Sequence, residues 1–280
     1  NFLTEISVNP WEECYFKEEK DLVLVGLVGL KDPVRPNVKD AIKTCQEANI
    51  RPIMVTGDNL PTALSIAKEI GICTSNSEGI NASELNNLSE KELIKYANKY
   101  SVFARVSPDN KLQLVKALQK TGKVVAMTGD GVNDAPAIKL ANVGVGMGKS
   151  GTDVTKGVAD VILLDDSFNT ITTAVKEGRR IYDNVISNIL YNLSSNFTEI
   201  AIILFGLFTG NTIISAIHVL YIDLVADTVP SITLAFEKAS KDTMKRKPNG
   251  LNKRIFTSFF SSFLIASVIL ETIISLIVYY

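Results

Sequence analysis

Beyond about Ile189 the chain becomes a series of apolar runs of bilayer-spanning length, and this constrains its fold more than any other feature. Ile189 to Phe208 is one run, Ile214 to Phe236 returns after the uncharged Thr209-Gly210-Asn211-Thr212 turn, and Ile255 to Tyr280 is a third. Backbone in hydrocarbon must satisfy its own hydrogen bonds, so such runs fold as helices. Lys238, Lys241, Lys245, Arg246, Lys247, Lys253 and Arg254 crowd the link between the second and third runs. Positive loops stay on the cytoplasmic side, which puts the preceding charged part of the chain there too. The expectation is a multi-pass integral membrane protein with spans over about 189–208, 214–236 and 256–280.

The part before these spans reads as an α/β domain. Apolar runs near 22–28, 51–55, 101–105, 123–127, 143–147 and 160–164 alternate with helical patterns such as Val38 to Glu47, Asn59 to Glu69, Asp109 to Gln119 and Ala135 to Leu140. That alternation predicts one mainly parallel, Rossmann-like sheet covered on both faces, over about 21–170. Residues 1–20 read as the tail of a preceding domain, Thr74 to Leu88 as a surface loop, and 171–188 as a stalk helix running unbroken into the first span. A chain that starts at Asn1 without methionine and stops at Tyr280 inside an apolar run reads as part of a longer protein. A formal net charge of -1 with 46% hydrophobic residues gives no basic surface for nucleic acid and no acidic excess for disorder. Cys14, Cys45 and Cys73 lack metal-ligand spacing and read as reduced thiols, and His218 alone cannot make a zinc site.

The most specific string is Thr128-Gly129-Asp130-Gly131-Val132-Asn133-Asp134-Ala135-Pro136-Ala137. Val124 to Met127 reads as a buried strand, so Asp130 stands just past its carboxyl end, where open α/β sheets place ligands. A carboxylate there suits Mg2+, a hard cation that keeps several waters, with Asn133 and Asp134 orienting the cluster. Phosphoryl transfer asks mainly for positioning and charge neutralisation. Lys111, early in the helix after Ser107-Pro108, can offer its ammonium to a phosphoryl group. Thr56 and Gly57 at a strand end can offer hydroxyl and N–H donors, with Asp58 beside them. Gly144-Val145-Gly146-Met147-Gly148-Lys149-Ser150 imitates a nucleotide loop, yet its spacing satisfies neither the P-loop nor the dinucleotide pattern.

Thr128 to Ala137 resembles the hinge signature of P-type ion-pumping ATPases. Lys31 to Pro36, Met54 to Asn59, Val106 to Lys111 and Gly178 to Asn184 resemble other motifs of that family, in its order. The resemblance implies a haloacid-dehalogenase-like phosphorylation domain followed by an all-α transmembrane region, with ATP and Mg2+ as cofactors. It implies catalytic roles for Lys111, Thr56, Gly57, Asp58, Asn133 and Asp134, Mg2+ on Asp130, and places near nucleotide or phosphate for Asp32, Arg35 and Arg105. The family's phosphorylated aspartate belongs to an Asp-Lys-Thr-Gly-Thr string that does not occur here. The resemblance therefore places that aspartate, the actuator domain, most of the nucleotide-binding domain and the first helices upstream, and implies no ATP hydrolysis by this chain alone.

Ionisable groups inside spans are costly and functional by default. Asn196 and Glu199 share a helical face, as do Asp223 and Asp227. Pro230 cannot donate to the carbonyl of Ala226, which frees backbone oxygens beside Asp227. Together they read as a cage for a transported cation, while Glu271 shows no partner. The stretches Ser194 to Glu199 and Asp223 to Asp227 resemble the fifth and sixth helices of type II pumps. Asp223, Leu234 to Glu237 and Met244 to Arg246 lean toward sodium and proton/potassium pumps, whereas the short loop after Gly71 leans toward compact calcium pumps. Ca2+ is favoured and a monovalent cation stays open. A membrane-tethered phosphatase would leave the intramembrane acids unexplained, and a non-catalytic channel or regulatory subunit would not need Asp130 and Lys111.

Overall fold

A computed structural model describes residues 23, 25–26, 33–86, 88–250 and 255–279. Asp32, Cys14, the expected tail over 1–20 and most of the strand expected over 22–28 lie outside the described residues. Residues 35–280 form one compact unit.

Helix α1 (Val38–Glu47) buries Ala41, Ile42 and Cys45, one face at helical spacing. Strand β1 (Met54–Val55) leads to α2 (Leu60–Ile70), which Asn59 caps by accepting from the Thr62 N–H at 3.0 Å and Gly71 ends at φ 84°. Strand β2 (Gly79–Asn81) and helix α3 (Glu90–Lys99) follow, then β3 (Val102–Ala104) and α4 (Pro108–Gln119). Strand β4 (Ala126–Gly129), α5 (Ala135–Leu140), β5 (Val143–Met147), α6 (Asp153–Val158) and β6 (Val161–Leu163) complete the α/β domain.

Among the described residues the strands form two three-stranded parallel sheets, ordered β1-β3-β2 and β4-β5-β6, where the alternation predicts a single sheet. β1 and β4 are each an edge strand of their sheet. Central β3 is buried along its length, whereas β4 has Ala126 exposed and the rest only half-buried. Strands of a parallel sheet are normally covered on both sides, so β4 is under-covered for its apolar sequence.

The stretch expected as a surface loop is corrected by the structure: Asn76–Glu78 and Ala82–Leu85 are 3-10 turns around β2, and Ile80, Ala82 and Leu85 are core residues. One apolar residue in three is too short a signal for a strand. The glycines of the false nucleotide loop are packing sites. A Cβ on Gly144 would lie 2.7 Å from Ile138, and one on Gly148 2.8 Å from the Leu163 carbonyl.

Helix α7 (Phe168–Thr209) runs 42 residues without interruption, carrying the expected stalk into the first apolar run. Helix α8 (Ala216–Tyr221), a π-helical turn over Ile222–Ala226 and α9 (Thr228–Ala235) make the return, and α10 (Ser258–Tyr279) is the last. By length and composition, α7, the stretch Ala216–Ala235 and α10 can each cross a bilayer, with mean hydropathy of 1.2, 1.3 and 2.2. The Arg179 guanidinium ties three elements together. It donates to the carbonyls of Ala48 behind α1 (2.8 Å) and of Thr243 (2.9 Å) and Arg246 (3.0 Å) in the loop after α9. Arg246 in turn pairs with Asp183 of α7 at 2.5 Å.

Candidate functional site

Strand β4 ends at Gly129, so Asp130 begins the loop at the carboxyl end of its sheet, as the sequence predicts. Its carbonyl accepts from the Thr152 N–H at 3.0 Å and the Thr155 hydroxyl at 3.2 Å. That leaves the exposed Asp130 carboxylate without a protein hydrogen bond among the described residues. An exposed carboxylate on an anchored backbone fits a hard, partly hydrated cation such as Mg2+. Thr155, fully buried, is a supporting residue that sequence reasoning missed; the signal was Thr152, whose side chain caps α6 and bonds Thr155 at 2.6 Å.

A 3-10 turn over Val132–Asp134 then points Asp134 inward, where its carboxylate pairs with the Lys111 ammonium. Both side chains are largely buried, at 12% and 15% exposure, so this pair is shielded from water more than surface ion pairs are. Lys111 is fixed because Ser107 and Asn110 form a reciprocal cap at the start of α4. After β1, the Thr56 hydroxyl donates to Asp58 at 3.0 Å and accepts from the Asp58 N–H at 3.1 Å. The structure therefore brings Lys111 to Asp134 and Thr56 to Asp58, while Gly57 and Asn133 stand exposed nearby in sequence.

The arginines have other partners. Arg35 donates to the carbonyl of Asp166 at 2.8 Å, and Arg105, in the left-handed region at φ 55°, uses its N–H on the Asp58 carbonyl at 2.9 Å. The Asp166 carboxylate accepts from the Lys149 N–H at 2.9 Å and the Ser150 N–H at 2.7 Å. Those backbone bonds, the Lys149 one foremost, pull its pKa down to about 2.

In the helical region Glu199 is 7% exposed, with one carboxylate oxygen that has no hydrogen-bond partner. Asp227 is 9% exposed and accepts from the Tyr191 hydroxyl at 2.9 Å. The helix opens beside it, but through the π turn, where the Asp227 N–H reaches the Ile222 carbonyl at 2.9 Å. Pro230 lies one turn further on, in α9. Asp223 and Ala226 are exposed in this turn, and Asn196 is exposed on α7, so spacing alone does not bring all these groups together. Among the described residues no three carboxylate, thiolate or imidazole groups converge as a metal cage. Glu271 of α10 does find partners: Thr198 donates to it at 2.9 Å and Ser194 at 3.5 Å.

Comparison with known proteins matches residues 4–142 to the haloacid dehalogenase-like hydrolases and residues 211–280 to the C-terminal domain of cation transporting ATPases. A calcium-transporting ATPase 1 of Bacillus cereus is 47% identical over 85% of this chain, and a calcium-transporting ATPase of Bacillus subtilis 46% identical over 85%. The potassium-transporting ATPase alpha chain 2 of Homo sapiens is 42% identical over 83% of this chain. The chain spans about a quarter of these relatives' length, 27%, 27% and 25% respectively. A haloacid-dehalogenase-like domain joined by one continuous helix to membrane-spanning segments, with these likenesses over both halves, places the chain among the cation-transporting P-type ATPases.

Proposed function

We propose that this chain is the phosphorylation domain and ion-binding helices of a pump that moves Ca2+ across a membrane at the expense of ATP. Helix α7 is the observation that carries the reading: one unbroken helix begins at the α/β domain and bears Glu199, a buried carboxylate with an unused oxygen, in its apolar half. A tethered phosphatase has no use for such a group in hydrocarbon.

In this reading Asp130 holds Mg2+, which supplies charge neutralisation at the phosphoryl oxygens. Lys111, held by Asp134, puts its ammonium on the transferred group, and the Thr56 hydroxyl and Gly57 N–H donate to its oxygens. Asn133 and Asp58 orient these donors, Arg35 and Arg105 belong to the nucleotide side, and the same role is assigned to Asp32, which lies outside the described residues. Asp223, Asp227, Glu199, Asn196 and the Ala226 carbonyl supply oxygens to the cation. The aspartate that accepts the phosphoryl group comes from a segment outside these 280 residues. β1 and β4, whose ends carry Thr56 and Asp130, are both edge strands and so each has a free edge with which a strand bearing it could pair. The actuator and nucleotide-binding domains belong to the same missing part.

The experiment is phosphoenzyme formation from labelled ATP on the full-length protein, in micromolar Ca2+ and in Na+ with a calcium chelator. Labelling only with Ca2+ is expected. Labelling with Na+ that disappears on adding K+ would replace Ca2+ by a monovalent ion and give Asp223 a different meaning.

A further inference from the structure

Asparagine recurs on α7 at 184, 188 and 192, and the same face carries Tyr191, Ser195 and Glu199, all within an arc of roughly 100°. The side-chain amide of Asn184 closes the end nearest the α/β domain by donating to the Ala235 and Glu237 carbonyls, each at 3.0 Å. The Asn188 amide donates to the Ser231 carbonyl at 3.1 Å, and the Asn192 amide reaches Asn188 and, at 3.4 Å, the Ser231 hydroxyl. Polar side chains at this frequency could serve as glue between helices α7 and α9. Glue does not require an unfilled cleft, however, and here there is one. An open cleft of about 350 Å³ lies between the two helices, lined by Asn188, Asn192, Thr228 and Ser231 together with Asp223 and Asp227. It is large enough for several waters, whose share of liquid volume is about 30 Å³ each.

We propose that the Asn188, Asn192 and Ser231 side chains form an access site for the transported cation, between the α/β-domain end of α7 and Asp227. The inference rests on the pump reading above. Neutral amide and hydroxyl oxygens replace part of a cation's water shell without holding it tightly, which is what a site that must pass its ion onward requires. The carboxylates follow in order. Asp227 lines the same cleft and accepts from Tyr191 at 2.9 Å, and Glu199 with its unpartnered oxygen lies seven residues beyond Asn192, about 10 Å along the helix. The ion thus meets neutral ligands first and charged ones after.

The test uses full-length protein in vesicles, with the Ca2+ concentration that half-activates phosphorylation from ATP as readout, in Asn192→Thr and Asn192→Val. The two replacements have nearly the same shape, and both lose the amide that helps to hold the helices together. Only the threonine keeps an oxygen for the ion. The half-activating concentration is expected to be about tenfold higher for Asn192→Val than for Asn192→Thr, with equal unfolding midpoints; equal concentrations would overturn the access site alone. Should neither variant fold, Ser231→Ala decides in the same way, a raised concentration supporting the site and an unchanged one refuting it. No ion-dependent labelling of the unsubstituted protein would overturn the pump reading, and the access site with it.

Discussion

A single hydrogen separates Gly129 from a residue its site could not hold. A Cβ on Gly129 would stand 2.5 Å from the Asp134 Cβ and 2.6 Å from its Cγ. Gly129→Ala must therefore push Asp134 off Lys111; a loss of about 1–3 kcal/mol, read as a lower unfolding midpoint, should accompany a fall in phosphoenzyme. Asp130→Ala should behave in the opposite way. Its carboxylate has no protein partner among the described residues, so stability should stay within about 0.5 kcal/mol while phosphoenzyme formation is abolished; normal labelling of that variant would sink the Mg2+ assignment. In the membrane, Asp227→Asn keeps the shape of the side chain and should leave labelling by inorganic phosphate intact while removing ion dependence. Retained ion-stimulated turnover would count against Asp227 as a ligand. Asp130, Asn133 and Asp134 are legible in sequence because one turn holds them. Thr155 and Ser231 are not, since only chain folding brings them to Asp130 and Asn192.

Elements show where local signals stop. Caps at Asn59, Ser89 and Ser107 mark helix starts with their own side chains, so α2 and α4 stand within a residue or two of their expected bounds. Strand β2 is hidden because Ile80 is its sole apolar residue, and its burial comes from β3 and the neighbouring turns. The π turn is likewise unannounced; Pro230 signals a disturbed helix, but the opening lies before Asp227. The loop from β5 to α6 is pinned by the Asp166 carboxylate, whose pKa is about 2 in the folded chain. Unfolded, it would titrate near 4, so the folded state binds fewer protons over that interval. Its contribution is present above about pH 4 and is lost as the pH falls toward 2. An acid titration of the unfolding midpoint should show this loss, and Asp166→Asn should remove that part of the acid sensitivity.

At the scale of the whole molecule the α/β domain, α7 and the loop after α9 meet at Arg179, which serves a carbonyl from each of Ala48, Thr243 and Arg246. Hydrogen bonds to charged groups contribute about 1.5–3 kcal/mol each. Arg179→Ala should lower the unfolding midpoint and, within the pump reading, reduce ions moved per ATP in vesicle transport assays; an unchanged ratio would confine Arg179 to a structural role. Both halves were legible from hydropathy and motif order, but this junction was not, because its acceptors are backbone carbonyls that any residue could provide. Helix α7 has a further consequence. Its 42 residues make a rod of roughly 63 Å, so tilting one end by a degree moves the other by about 1 Å. A mechanical arm of that length is unbroken along its course, and within the pump reading the angle adopted by the domain at one end would become a displacement among the proposed ion ligands at the other.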